Sequence, residues 1–177
     1  MSNHFYEKVV KEKNNAMTVA KKISAIMIYA LILVIFAVIA INNWKVFPFI
    51  AALGIIVDLA VVLISWKYLD KEYEYSFEYG RMSISKIYGK KKRKLIFEAE
   101  IDTMVMIAPA TDEYIAKAEH FGPEKKVIAV GDENSDDIWL VVSGGVDAKC
   151  VLAFFEADEK ILSILRSENP IVFIRKK

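Results

Sequence analysis

From residue 23 to residue 66 the chain is almost pure hydrocarbon, broken once by Asn42-Asn43-Trp44-Lys45. No other feature limits the fold so strongly, because each half is long enough to cross a bilayer as a helix. The first half, residues 23–41, is roughly 19 residues, or about 28 Å at 1.5 Å per residue. The second, residues 47–66, tolerates Pro48 in its first turn. A buried soluble helix pair is a poor alternative, since such helices rarely lack a polar stripe over this length. Val38-Ile39-Ala40 is a weak signal-cleavage site, because the apolar run exceeds the roughly 7–15 residues of a signal core and follows a polar leader. The chain is 55% hydrophobic and 27% charged. Those values coexist only because the charge is excluded from the two halves.

Orientation follows from the cations. Lys8, Lys11, Lys13, Lys21 and Lys22 precede the first span, and Lys67, Lys71, Arg81 and Lys86 follow the second. The connecting turn holds only Lys45. The positive-inside rule therefore predicts a two-span protein of the cell membrane with both termini in the cytoplasm. A single cysteine, Cys150, leaves no disulfide framework and no cysteine zinc site.

Asp58 is the charged side chain inside the spans. At mid-depth it costs roughly 2.5–3.5 kcal/mol on insertion scales, so it should face the partner helix. Counted from the cytoplasmic ends, Tyr29 lies at similar depth, and a Tyr29–Asp58 hydrogen bond is expected. Gly54, one turn earlier on the same face, permits close helix approach. This set reads first as hairpin glue, and otherwise as a proton or partner site.

Three regions result. Residues 1–22 read as a basic amphipathic cytoplasmic leader, with Phe5, Tyr6, Val9 and Val10 facing the membrane interface. Residues 23–66 form the helical hairpin. Residues 67–177 form a cytoplasmic β domain. In it Tyr73, Tyr75, Phe77 and Tyr79 alternate with polar residues, the two-residue period of a half-buried strand. Further strands are expected at 81–88, 94–99, 101–107, 126–130, 138–143 and 149–155. A short helix from Thr111 to Glu119 and an amphipathic one over 158–167 complete the pattern. Asn169-Pro170 ends the latter and leaves an extended tail at 171–174. The fold class is thus a membrane α-helical hairpin plus a mainly-β (α+β) antiparallel sandwich or roll capped by a C-terminal helix.

The run Arg93-Lys94-Leu95-Ile96-Phe97-Glu98, then Glu100-Ile101-Asp102-Thr103-Met104, resembles the opening strands of bacterial pleckstrin-homology-like (PH-like) domains. Phe154-Phe155-Glu156-Ala157-Asp158-Glu159-Lys160 is similar to their closing strand-to-helix junction. With its leader and two spans, the chain resembles a family of small membrane proteins from Firmicutes. Those motifs are structural, so the resemblance implies a fold and carries over nothing catalytic.

The strongest candidate site is Lys90, Lys91, Lys92, Arg93 and Lys94, five cations on a strand turn. Each is worth about 1 kcal/mol near an anionic bilayer surface, although a solvated, topology-setting run reads equally well. The missing interleaved aromatics argue against nucleic acid. Asp132, Asn134 and Asp136 are spaced like the start of a calcium loop, but Asp137 and Ser143 stand where Gly and Glu are needed. His120 lies at a helix end and completes no triad. No metal ligands and no cofactor are expected. The sequence therefore predicts a non-enzymatic, membrane-anchored binding or scaffolding module whose partners are membrane lipids. The alternative is an accessory subunit of a transporter or enzyme complex, joined, or self-associating, through the spans.

Overall fold

The computed structural model describes residues 5–13, 16–69, 71–89, 91–144 and 150–176. Two compact units divide the chain: Lys13–Lys71, and Glu72–Lys177 together with Met1–Glu12.

The first unit is a hairpin of α1 (Ala16–Asn42) and α2 (Phe47–Leu69). α1 begins earlier than the expected span and both helices end later, while α2 begins at Phe47 as expected; their apolar lengths are Thr18–Asn42 and Phe47–Trp66, each long enough to cross a membrane. Ile26, Leu31, Val34, Ile55, Ile56 and Leu63 are exposed. A soluble core helix would bury such residues. Asn42 and Asn43 turn the chain by donating their side-chain amides to the carbonyls of Val38 and Ile39, 2.8 Å in each case. Each amide thus bonds back to a carbonyl one turn earlier, at the helix end where backbone acceptors begin to outnumber donors.

The second unit holds two four-stranded sheets. The first is ordered β1 (Tyr6–Lys11), β2 (Lys71–Glu78), β3 (Arg81–Tyr88) and β4 (Lys92–Glu100). The second is ordered β5 (Met104–Pro109), β7 (Ile138–Ser143), β8 (Val151–Glu156) and β6 (Lys125–Ala129). The leader expected over residues 1–22 is therefore divided. Its first part is a strand antiparallel to β2, registered from Tyr6↔Phe77 to Lys11↔Glu72, and its last part opens α1. Tyr6 and Val10 pack against the β core instead of a membrane interface. One pairing departs from the all-antiparallel expectation: edge strand β6 runs parallel to β8.

Tyr73, Tyr75, Phe77, Ile84, Phe97, Trp139, Val141 and Phe155 fill the core, capped by Ile161, Ile164 and Leu165 of α4 (Glu159–Glu168). Helix α3 (Asp112–Glu119) contributes Ala118 to a smaller cluster with Met106, Ala108, Leu140, Val142 and Leu152. The second sheet is thus covered on both faces, and for that reason β7 and β8 read as continuous apolar runs. The tail docks on β5: Ile107 N–H donates to Val172 at 3.1 Å, and Ile174 N–H donates to Ile107 at 2.8 Å.

Candidate functional site

The basic turn joins β3 to β4. Tyr88 pairs with Lys92, Ile87 with Arg93 and Lys86 with Lys94. The register slips between Ile84 and Ser85, opposite Phe97 and Leu95, which leaves Ile96 as the extra residue of a bulge. Below the bulge, Lys86, Tyr88, Lys92 and Lys94 share the face that carries Tyr73. Lys86 Nζ stands 5.5 Å from the Tyr73 ring centroid and 5.6 Å from that of Tyr88. Arg93 points from the other face and pairs with Glu74 at 2.9 Å, a carboxylate only 8% exposed. Arg93, Lys91, Lys92 and Lys94 are all exposed to solvent, but Arg93 is tied to the sheet by its pairing with Glu74. Lys90 lies outside the described residues.

The position of this tip follows from strand order. β1 and β2 meet at Lys11↔Glu72, and the apolar hairpin is inserted in the chain between them. A tight turn at Tyr79 and Gly80, both with positive φ (51° and 74°), then sends β3 back along β2. Tyr88 and Lys92 consequently return to the sheet end where β1 stops and β2 starts. Burial, and next the Glu12 charge, push the Tyr73 phenol on this face up to about 12.

The other tyrosines are structural. The Tyr75 hydroxyl donates to the Ala129 carbonyl and accepts from Glu156 N–H at 3.2 Å, joining β2 to β6 and β8. Glu156 Oε1 in turn accepts from Gly131 and Asp132 N–H, both at 2.7 Å. In the acidic loop, Asp132 Oδ1 accepts from Asn134 N–H at 3.1 Å and Ser135 Oγ from Asp137 N–H at 3.2 Å. These are turn contacts within the loop itself. His120 caps the end of α3.

The hairpin arranges its polar groups differently from the expectation. Ser65 Oγ donates back to the Val61 carbonyl, so the Tyr29 hydroxyl is the donor in the 2.6 Å Tyr29–Ser65 contact. Tyr29 does not reach Asp58, and Asp58 Oδ1 is buried with no hydrogen-bond partner. Equal depth placed Tyr29 near Asp58, but Ser65, almost two turns closer to the helix end, took the bond. At Gly54 a Cβ would lie 2.7 Å from Phe36 Cβ and Cγ, so the absence of a side chain there makes room for the Phe36 ring.

Two apolar helices, two sheets and a closing helix agree with a match over residues 2–175 to the family described as bacterial PH-like domain (DUF6106). The chain belongs to that family. No curated protein and no solved structure matched it. The PH-like domain here is discontinuous in sequence, since β1 precedes the apolar hairpin and the remaining strands follow it. PH-like membership supports a non-catalytic module in general terms.

Proposed function

We propose that the protein is a membrane-anchored binding module, held in the cell membrane by α1 and α2 with both termini in the cytoplasm, whose β3–β4 tip contacts anionic lipid. One observation carries the reading. The basic tip lies at the same sheet end as the two strand ends between which the apolar hairpin is inserted. In this reading that sheet end meets the headgroups, and Lys91, Lys92 and Lys94 supply its exposed cations. Each contributes about 1 kcal/mol there, falling away within a Debye length. The exposure of most large apolar side chains of both helices supports the anchor, since water does not tolerate so large an apolar surface.

The test uses the full chain in lipid nanodiscs. Trypsin should cut at Lys91 to Lys94 more slowly in discs containing phosphatidylglycerol than in neutral discs, and salt should restore the rate. Equal cutting in both would remove lipid contact from the reading.

The accessory-subunit reading draws on Asp58 alone, because a buried carboxylate oxygen without a bond suits a partner helix. Gly54 lends it nothing, being filled by Phe36 of the same hairpin. Cross-linking in native membranes that traps one reproducible integral-membrane partner, and loses it in Asp58→Ala, would favour this second reading.

A further inference from the structure

A separate concave site lies between α4 and the C-terminal segment, a cleft of about 570 Å³, within the roughly 300–1,000 Å³ usual for small-molecule sites. Helix α4 builds one wall. With Ile161, Ile164 and Leu165 turned into the core, Ser163, Arg166 and Ser167 face outward into the cleft. The tail builds the other. Phe173 is fixed by stacking on Trp139, with centroids 5.3 Å apart and planes at 21°, and by its bridge to Ile107. That anchorage sets Arg175 and Lys176 at the rim, while Phe173 and Leu162 give an apolar floor.

The charges do not balance internally. Arg166, Arg175 and Lys176 converge with Glu159 as the carboxylate in the lining. Among the described residues neither Arg166 nor Arg175 makes a hydrogen bond or ion pair. Lys176 donates one N–H to the Asp136 carbonyl, which holds it in place and leaves two for a ligand. Ser167 Oγ spends its proton on the Ile164 carbonyl, so among the cleft hydroxyls Ser163 is the available donor. A carboxylate ligand would answer only part of this excess. A phosphate monoester carries about −1.5 to −2 at pH 7 with three acceptor oxygens, and guanidinium forks match it in geometry. Inorganic phosphate alone would leave Leu162 and Phe173 uncovered.

We infer that this cleft binds a small organic phosphate, with the phosphate monoester on Arg166, Arg175 and Lys176 and a flat or apolar group against Phe173 and Leu162. The site is independent of the lipid-facing tip. Phenyl phosphate is the probe, titrated calorimetrically into the full chain in neutral phosphatidylcholine nanodiscs. Binding should be measurable at neutral pH, weaken as pH falls through the second phosphate ionisation near about 6, and exceed that of benzoate. Arg166→Gln and Arg175→Gln should each weaken it about tenfold or more, while Lys117→Gln, whose ammonium pairs with Glu113 on α3, leaves it unchanged. Arg166 is exposed, so its replacement leaves the core intact, and an unaltered melting temperature verifies this. If phosphatidic acid in the discs competes with phenyl phosphate and phosphatidylglycerol does not, the monoester is supplied by lipid; if neither competes, by a soluble ester. Absence of binding up to millimolar probe, or equal affinity in Arg166→Gln, overturns the assignment.

Discussion

Tyr6 Oη donates to Asp158 Oδ2 at 2.8 Å, a bond that joins the first strand of the PH-like domain to the start of its last helix. Asp158 is also the N-cap of α4, accepting from Ile161 N–H through Oδ1 at 2.9 Å. Lys8 Nζ approaches the same carboxylate at 3.4 Å, and Lys160 Nζ lies 4.3 Å from the Tyr6 ring centroid. One side chain thus caps the closing helix and fastens β1, although the apolar hairpin separates their partners in sequence.

Asp158→Ala should therefore do more than a surface substitution. It removes a helix cap worth about 1 kcal/mol, range 0.5–2, and releases the Tyr6 hydroxyl. Tyr6→Phe should cost less, because it removes one hydrogen bond to a charged carboxylate, about 1.5 kcal/mol at this half-buried site, and leaves the cap in place. Thermal unfolding of the full chain in detergent reads both.

The same contact sets a pH window. Burial alone would raise the Asp158 carboxyl, but the Ile161 N–H, the Tyr6 hydroxyl and Lys8 together hold it below its ordinary 3.8. The Asp158 hydrogen bond, then burial, raise the Tyr6 phenol above 10.0. A depressed carboxyl gives stability that is complete above 3.8 and lost as pH falls through its folded value. A raised phenol gives stability that is complete below 10.0 and lost as pH rises through its own. Melting temperature plotted against pH should lose part of its acid-side fall in Asp158→Asn and a smaller part in Lys8→Gln, since Lys8 is one of the groups that depress the carboxyl.

Gly131 is a packing point for β1. A Cβ there would stand 2.4 Å from the Lys11 carbonyl oxygen and 2.5 Å from Val10 Cγ1. The first of these is backbone and cannot rotate away. Gly131→Ala should cost about 1–3 kcal/mol and raise the rate of tryptic cutting at Lys8 and Lys11.

In the hairpin, Gly54→Leu should separate the helices, and Phe36→Ala in the same chain should restore part of the loss. Tyr29→Phe and Ser65→Ala should each cost about 0.6 kcal/mol, at most about 1.7, in detergent-denaturant titrations. Asp58→Asn should leave the Tyr29 contribution unchanged; a double-mutant cycle showing coupling between Tyr29 and Asp58 would contradict the Ser65 pairing.

The elements that the sequence showed most plainly were those whose side chains obey one period. Tyr73, Tyr75 and Phe77 announce β2, while Ile161, Ile164 and Leu165 announce α4, because each faces a single core. β1 was hidden for two reasons. The adjacent pair Val9 and Val10 breaks its alternation, and its partner strand lies beyond the whole hairpin. Its lysines read as a membrane-facing leader because nothing local distinguishes the two. The parallel β6–β8 pairing was equally invisible, since period fixes which face a strand buries but not the direction of its neighbour. The basic tip was visible as composition. That Arg93 is tied to Glu74 while Lys92 and Lys94 turn to the Tyr73 face depends on the bulge at Ile96, which a run of cations does not reveal. The α4 cleft was missed because Arg166, Arg175 and Lys176 lie scattered along a helix and a tail. They converge only when Phe173 docks on Trp139.

The division of the domain by the apolar hairpin has a consequence for biogenesis. β1 leaves the ribosome first and has nothing to pair with until both helices have been synthesised and Glu72 to Phe77 have followed. If only one helix crossed the bilayer, β1 and β2 would be stranded in different compartments and the sheet could never close. On the proposed anchoring, correct threading of the helices is a condition for folding, and a mis-threaded copy betrays itself by staying open to proteases.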